Sequence, residues 1–372
     1  MSTNREARAW LLLGADALLE NFARLRAAAG PDARVLPMVK ADAYGLGMSE
    51  VVRILRSERP WGWGVATLAE GLRLRDEEAI DEAVVVFSPL VERELESALR
   101  ADLQISVSSL DALAEIVAAS RRVGAPAKVH VDVDTGMGRT GFDWQSSLEW
   151  MPRVIEAARE EIEWVGCFTH LHSAEDDDRS VREQWARLQE ALSGLADAPA
   201  APLIHALNSA GAFAAPEYAG YVIRPGIFLY GGAVGAGHPI PEPVVSLYAR
   251  VCHVREVTAG TTLGYGATYR ASGPERWATL SIGYGDGLPR VLGNRGCALL
   301  QGRRVPIIGR ISMDLTVVDI SDLSGVRVGD VATFLGTEGQ EKITLDEIAE
   351  LAGTISYEIL TGFTPRLPRI WA

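Results

Sequence analysis

Four short stretches carry side chains whose type and setting could do chemistry. In the first, the apolar run Val35-Leu36-Pro37-Met38-Val39 ends on Lys40, followed by Ala41-Asp42-Ala43-Tyr44-Gly45. An amine at the end of an apolar strand is desolvated, which lowers its pKa and suits it to attack a carbonyl or act as a base. A lysine that merely snorkels from a strand end into water has the same pattern. The second stretch, Asp132-Val133-Asp134-Thr135-Gly136-Met137-Gly138-Arg139-Thr140-Gly141, satisfies G-x-G-x-x-G. It follows a late strand and holds an arginine, so a tight loop presenting Arg139 to an anion reads better than pyrophosphate binding. The last two, Asn208-Ser209-Ala210-Gly211 and Arg224-Pro225-Gly226-Ile227, offer a hydroxyl and close backbone N–H groups, a grip for phosphate. Asn208 and Ser209 could equally cap a helix with nothing bound. A carbonyl-reactive lysine together with a phosphate grip points to a phosphorylated aldehyde, pyridoxal phosphate.

Histidines raise a rival. His170 and His172 project to one face at a strand end, as the ligands of a metal-dependent barrel hydrolase would. Such a site needs further ligands, yet His130 and His205 fall within strands, while His238 and His253 fall in the linker and the second, β-rich domain. No metal is therefore expected, and one histidine of the pair is read as orienting Arg224. Three glycine-flanked clusters lie late in the chain: Gly264-Tyr265-Gly266-Ala267-Thr268-Tyr269, Gly283-Tyr284-Gly285-Asp286-Gly287 and Ser312-Met313-Asp314. A phenol there becomes a useful base only beside positive charge, which would have to come from elsewhere in the chain or from a partner.

The elements that must position these groups follow from hydrophobic periodicity. Strands are expected at Val35–Val39, Gly62–Thr67, Ala83–Phe87, Leu103–Val107, Lys128–Val133, Trp164–Thr169, Leu203–Ala206 and Tyr221–Ile223. Helical stretches such as Ala15–Ala28, Leu110–Ala119 and Arg182–Leu195 separate them. Eight strands alternating with helices predict an α/β fold, a (β/α)8 TIM barrel over residues 14–240, with its chemistry at the C-terminal strand ends. Lys40, Arg139, His170, Ser209 and Arg224 all follow such ends. Past Pro239, Pro241 and Pro243 the pattern becomes β-rich (Val244–Val257, Trp277–Ile282, Val305–Ile308, Asp314–Ile320, Asp330–Leu335) with one helix near Leu345–Leu351. This predicts a mainly β C-terminal domain over 241–372, which the N-terminal segment 1–13 joins.

The chain's 372 residues carry 36 Lys+Arg against 49 Asp+Glu, a net charge of −13, which disfavours nucleic acid or an anionic membrane as partner. Three cysteines without paired spacing suggest a reducing cytoplasm. Arg5 and Arg8 precede Trp10-Leu11-Leu12-Leu13, but Asp16 ends that run too early for a signal peptide. No apolar run approaches the roughly 18 residues of a membrane span.

Taken in order, the motifs resemble alanine racemase over nearly the whole chain. They are Val39-Lys40-Ala41-Asp42-Ala43-Tyr44-Gly45, Asp134-Thr135-Gly136-Met137-Gly138-Arg139, Arg224-Pro225-Gly226, Tyr265-Gly266-Ala267-Thr268-Tyr269, Gly309-Arg310-Ile311-Ser312-Met313-Asp314 and Gly353-Thr354-Ile355-Ser356-Tyr357-Glu358-Ile359-Leu360. The resemblance implies a homodimer with shared active sites that interconverts L- and D-alanine with pyridoxal phosphate, supplying D-alanine as a peptidoglycan precursor. It implies that Lys40 holds the cofactor and is the base on one face, and that Tyr265 from the partner is the base on the other. Tyr44, Asn208, Ser209, Gly226, Ile227 and Tyr357 would bind the phosphate. Arg224 would face the ring nitrogen, with His170 behind it. Arg139, Met313 and Asp314 would hold the substrate, and Tyr284 would line the entrance. Four positions depart from the family's pattern. Asp132 replaces a lysine that in many members is carbamylated and pairs with the carboxylate-binding arginine, so Asp132 is expected to supply that negative charge to Arg139 without dissolved CO₂. Leu46 replaces a histidine, Ser312 a cysteine, and His172 a small residue, the last being a change that could favour serine. The alternatives are a serine-preferring or broader amino-acid racemase, then a pyridoxal-phosphate lyase or decarboxylase on such a barrel, then the metal-dependent hydrolase.

Overall fold

Parallel strands alternate with helices from residue 34 to 223 in the computed structural model, which describes residues 7–220 and 222–372. Arg5 and Tyr221, named in the expectations above, lie outside the described residues. The N-terminal strand β1 (Ala9–Leu13) is followed by β2 (Arg34–Val35), β3 (Gly62–Val65), β4 (Ala83–Val86), β5 (Gln104–Val107), β6 (Ala127–Asp134), β7 (Phe142–Asp143), β8 (Ile162–Phe168), β9 (Leu203–His205) and β10 (Val222–Ile223). Strands buried on both faces read as unbroken valine and isoleucine runs, as Val84-Val85-Val86 does here. Neighbours run in the order β3-β4-β5-β6-β8-β9, all parallel. The ring closes where β10 pairs with β2, the Arg224 N–H reaches the Leu207 carbonyl at 2.9 Å, and Met38 bridges to Gly64. The first expected strand, Val35–Val39, is therefore shorter as a regular ladder. Pro37 has no N–H to donate, and its carbonyl instead accepts from Gly64 at 2.9 Å.

Helices begin at chemically legible caps. Thr67 and Glu70 form a reciprocal capping box on Leu68–Asp76, and Ser109 caps Leu110–Val123, which ends on the left-handed Gly124. The helix expected at Arg182–Leu195 starts earlier, at Asp178, because Asp177 caps it, and it tightens into a 3₁₀ turn at Leu192.

The remaining strands are β11 (Val245–Val257), β12 (Thr262–Leu263), β13 (Tyr269–Arg270), β14 (Glu275–Leu280), β15 (Cys297–Leu300), β16 (Arg303–Ile308), β17 (Thr316–Asp319), β18 (Val331–Glu338), β19 (Glu341–Ile343) and β20 (Arg369–Trp371). All but β12 and β13, which pair with each other, join β1 in a nine-stranded sheet in the order β19-β18-β15-β16-β17-β14-β11-β1-β20, which β18 folds back to pair with β11. In it β1 runs antiparallel to β11 and parallel to β20, burying Ala9, Leu11 and Leu13.

Candidate active site

Lys40 opens a backbone segment of rare conformation. Ala41, Asp42, Ala43 and Tyr44 all have φ between 52° and 56°, a left-handed turn made without glycine. For L-residues that costs roughly 1–2 kcal/mol each, so surrounding contacts must enforce it. Glu70 supplies one set: one carboxylate oxygen accepts from the Ala41 N–H at 2.7 Å, the other from Ala66 at 2.8 Å and Thr67 at 3.1 Å. Asp42 supplies another, accepting from the Met48 N–H at 2.9 Å and from Arg73 Nη1 at 2.8 Å. At Gly45, φ is 83° and a Cβ would lie 2.7 Å from the Leu360 carbonyl, so only glycine leaves the turn this way. The turn sends Tyr44 inward against Tyr230 and Tyr357, with centroids 4.8 and 5.9 Å away.

Beside Lys40 opens a cavity of 430 Å³ at the C-terminal mouth of the barrel. It brings together Lys40, Tyr44, Arg139, His170, Asn208, Ser209, Arg224, Gly226, Ile227 and Tyr357, ten of the residues singled out from sequence. Asn208 is also the helix cap it could have been, accepting from Gly211 N–H at 2.9 Å. The Ser209 hydroxyl oxygen accepts from the Gly226 N–H at 2.9 Å, and a Cβ added at Gly226 would run into Tyr44 Oη. Ser209, Gly226 and Tyr44 thus enclose a small polar cradle.

Arg224 lies between Phe87 and Phe168, its guanidinium 5.6 and 5.4 Å from their centroids. Nη1 donates to the His205 carbonyl at 2.6 Å and to His205 Nδ1 at 2.9 Å; Nη2 donates to the Thr169 carbonyl at 2.8 Å. Its other neighbours are the Ala206 carbonyl at 3.3 Å and His170 Nδ1 at 3.5 Å. Among the described residues Nε–H has no partner. Burial lowers the guanidinium pKa to about 10, which leaves it charged at neutral pH. His170 is pushed down to about 3, first by burial and then by Arg224, Arg139 and Lys40, so it is a neutral imidazole. Lys40 is lowered by burial and by Arg139, with Glu70 opposing and Arg224 reinforcing the shift, which favours the free amine.

Asp132 does not form the expected ion pair. Its Oδ2 accepts from Thr140 Oγ1 at 2.8 Å, and no Asp132–Arg139 salt bridge occurs among the described residues. Arg139 acts on it only through space: burial raises the carboxyl to about 6 against the pull of Arg224 and Arg139. His172 turns to Ser173 Oγ, 2.7 Å from Nδ1, and does not line the cavity. Tyr265, Tyr284, Met313 and Asp314 also stand outside the cavity of their own chain. Tyr265 is 70% exposed, the Met313 carbonyl accepts from Gly285 N–H at 2.8 Å, and Asp314 pairs with Arg366 at 2.6 Å. Sequence reasoning missed Glu70, Phe87 and Phe168. The Thr67-x-x-Glu70 box was visible as a helix start, but nothing in it announces the contact to Ala41.

Residues 14–234 match the family described as alanine racemase, N-terminal domain, and residues 244–371 match its C-terminal domain. The alanine racemase of Methanococcus maripaludis is 35% identical over 97% of this chain and 98% of its own length. That of Carboxydothermus hydrogenoformans is 36% identical over 97% and 99%. Among solved structures, the alanine racemase of Streptomyces lavendulae superposes with a TM-score of 0.92 at 29% identity, covering 98% of this chain and 97% of that one. The Bartonella henselae enzyme with covalently bound pyridoxal phosphate gives 0.90 at 28%, covering 98% and 100%. With a barrel that gathers Lys40, Arg139 and Arg224 around one cavity and a β domain of the same family behind it, the chain belongs to the alanine racemases, enzymes that interconvert L- and D-alanine.

Proposed function

We propose that Lys40 holds pyridoxal phosphate in this cavity and is one of two bases for alanine racemisation, the other being Tyr265 of the partner subunit in a homodimer. The observation that carries the assignment is the meeting, in one cavity, of a desolvated lysine, a cradle closed by Ser209, Gly226 and Tyr44, and a guanidinium whose Nε–H is unengaged. These fit the group's aldehyde, phosphate and ring nitrogen, and the covalent cofactor of the Bartonella henselae relative supports the same reading. When bound, pyridoxal phosphate supplies the electron sink that acidifies the α-proton of an amino acid.

This chain's residues do the rest. Arg139, exposed at the cavity wall, offers a cation to the substrate carboxylate. Arg224 can donate a hydrogen bond but does not surrender its proton, so it would hold a ring nitrogen without protonating it. Burial, then Arg139, lowers the Lys40 pKa and so favours an amine able to take a proton on one face. Tyr265, exposed and outside its own cavity, has the accessibility needed to reach a neighbour's site. Met313, Asp314 and Tyr284 would complete the substrate pocket and its entrance, and Asn208, Ile227 and Tyr357 the phosphate side. His172 lies outside the lining, so the departure that could favour serine does not reach the cavity. The same reading divides the chain into a barrel at 14–240 and a β domain at 241–372 that the N-terminal segment joins, in a reducing cytoplasm that suits the free cysteines Cys167, Cys252 and Cys297.

The test is proton NMR of the protein with pyridoxal phosphate and L-alanine or L-serine in D₂O, with chiral analysis of the products. Loss of the α-proton signal as D-alanine forms supports the assignment. Lys40→Ala should abolish exchange, whereas Tyr265→Ala should suppress exchange of one enantiomer more than the other. Exchange without inversion in the parent would remove Tyr265 as second base, and pyruvate or an amine as product would overturn racemisation.

A further inference from the structure

Beneath the cavity a line of buried polar side chains crosses the barrel interior and takes no part in the chemistry above. From Arg224 Nη1 it runs to His205 Nδ1 at 2.9 Å, from His205 Nε2 to His130 Nδ1 at 2.9 Å, and from His130 Nε2 to Gln104 Oε1 at 2.7 Å. We infer that Gln104 and His130 are positioning residues for racemisation, locking His205 in one protonation pattern and thereby fixing the seat of Arg224.

The direction of every bond follows from one end. A guanidinium can only donate, so His205 Nδ1 must accept and carries no proton. Neutral His205 then holds its proton on Nε2 and donates it to His130 Nδ1, which leaves His130 to donate from its own Nε2 to the amide oxygen of Gln104. The other tautomer of His205 would set an N–H against Arg224 Nη1. A second proton on either ring would face two donors together near a buried cation.

The barrel is built around this pair. His130 and His205 are 0% and 1% exposed, and β8 carries Gly166 between them, where a Cβ would run into His130 Nδ1 and lie 3.0 Å from His205 Nε2. Phe168 stacks on His205 at 5.2 Å between centroids, and Trp61 meets His130 edge-on at 6.4 Å. In such surroundings an unmatched N–H is costly, so removing the acceptor on His130 makes the wrong tautomer of His205 competitive. Arg224 Nη1 would then keep the His205 carbonyl but lose Nδ1.

The consequence for the cofactor rests on the assignment of Arg224 to its ring nitrogen; the proton pattern does not. Long-range ¹H–¹⁵N NMR on ¹⁵N-histidine-labelled holoenzyme reads the pattern directly. His130 and His205 are expected as neutral Nε2–H tautomers from pH 6 to pH 8. His130→Asn places an amide oxygen near the position of Nδ1 and should preserve the His205 tautomer, the cofactor absorption band and the cofactor dissociation constant within about twofold. His130→Leu removes the acceptor and should mix the His205 tautomers, shift the band and weaken cofactor binding roughly tenfold or more. Gln104→Leu should do the same to a lesser degree. An Nδ1–H tautomer of His205 in the parent overturns the lock, as does equal behaviour of the Asn and Leu variants. Mixed tautomers with unchanged cofactor affinity and absorption would leave the lock standing and overturn the placement of the ring at Arg224. If His130→Leu does not fold, the parent spectrum and His130→Asn still decide the matter.

Discussion

Asp132 gives the sharpest quantitative test of the site's electrostatics. It sits at the end of β6, 6% exposed, with its carboxyl raised from 3.8 to about 6 chiefly by burial. A folded-state pKa above the unfolded one means that the native protein binds the proton more tightly, so stability falls as pH rises from about 4 to about 6 and stays lowered above that. At about 1.4 kcal/mol per unit the penalty is on the order of 3 kcal/mol at pH 7 and roughly half that at pH 5. Asp132→Asn keeps an oxygen to accept from Thr140 Oγ1 and removes the ionisable group. The variant should therefore be more stable than its parent at pH 7, with an advantage at pH 7 about twice that at pH 5. It should also be less active, because the negative charge facing Arg139 and Arg224 is gone. Thermal unfolding of both proteins at matched ionic strength between pH 5 and pH 8 measures the difference. A variant that melts at or below the parent at pH 7, or by a margin independent of pH, would refute the claim that Asp132 is an ionised carboxylate held at a cost.

Because that negative charge is built into the chain, enzyme stripped of CO₂ should keep its activity, and recovery upon adding bicarbonate would count against Asp132 as its source. Gly226→Ala should weaken cofactor retention during dialysis by roughly tenfold or more, since its Cβ collides with Tyr44 Oη in the cradle. Glu70→Gln removes the one carboxylate that raises the Lys40 pKa and turns an amide N–H toward Ala66 and Thr67. The acid limb of the activity profile should move to lower pH, and apoenzyme should capture pyridoxal phosphate more slowly in stopped-flow absorbance. Lys40→Ala and Tyr265→Ala, each inactive alone, should regain about a quarter of parental activity when co-refolded, because a mixed two-fold dimer holds one intact site. No recovery would place both bases in one chain.

The barrel was legible because its strands are buried on both faces and its reactive residues stand where such strands end. What stayed hidden was conformation that tertiary contacts impose against local preference. Ala41-Asp42-Ala43-Tyr44 contains no glycine and carries helix-favouring alanines, so nothing local announces a left-handed turn; Glu70 and Arg73, three residues apart on a neighbouring helix, hold it. His130 and His205 were visible as strand histidines, but one residue cannot show that its partner stands across the barrel. The ends of β2 escaped for a smaller reason: an apolar run reads as strand, while Pro37 interrupts the ladder. Tyr265, Tyr284, Met313 and Asp314 stood out as polar clusters among glycines, but their roles came only from family resemblance, since spacing does not say which copy's site a cluster serves.

The two bases proposed above are prepared in opposite ways, and that difference has a physical logic. Within a chain of net charge −13, the cavity sets Arg139 and Arg224 beside Lys40, cations that suit a phosphate and a carboxylate. Desolvation and these cations lower the Lys40 pKa, so the first base needs nothing beyond its own barrel. Tyr265 stands on an exposed turn outside the cavity of its own chain, where Arg310 Nη1 donates to its carbonyl at 3.3 Å. Brought to the mouth of a partner's barrel, it would meet the cations of that cavity. On this reading, assembly brings within reach a second side chain that the barrel's own chain does not place there. With the roles proposed for Lys40 and Tyr265, proton abstraction on one face is a property of the fold, and abstraction on the other a property of the dimer.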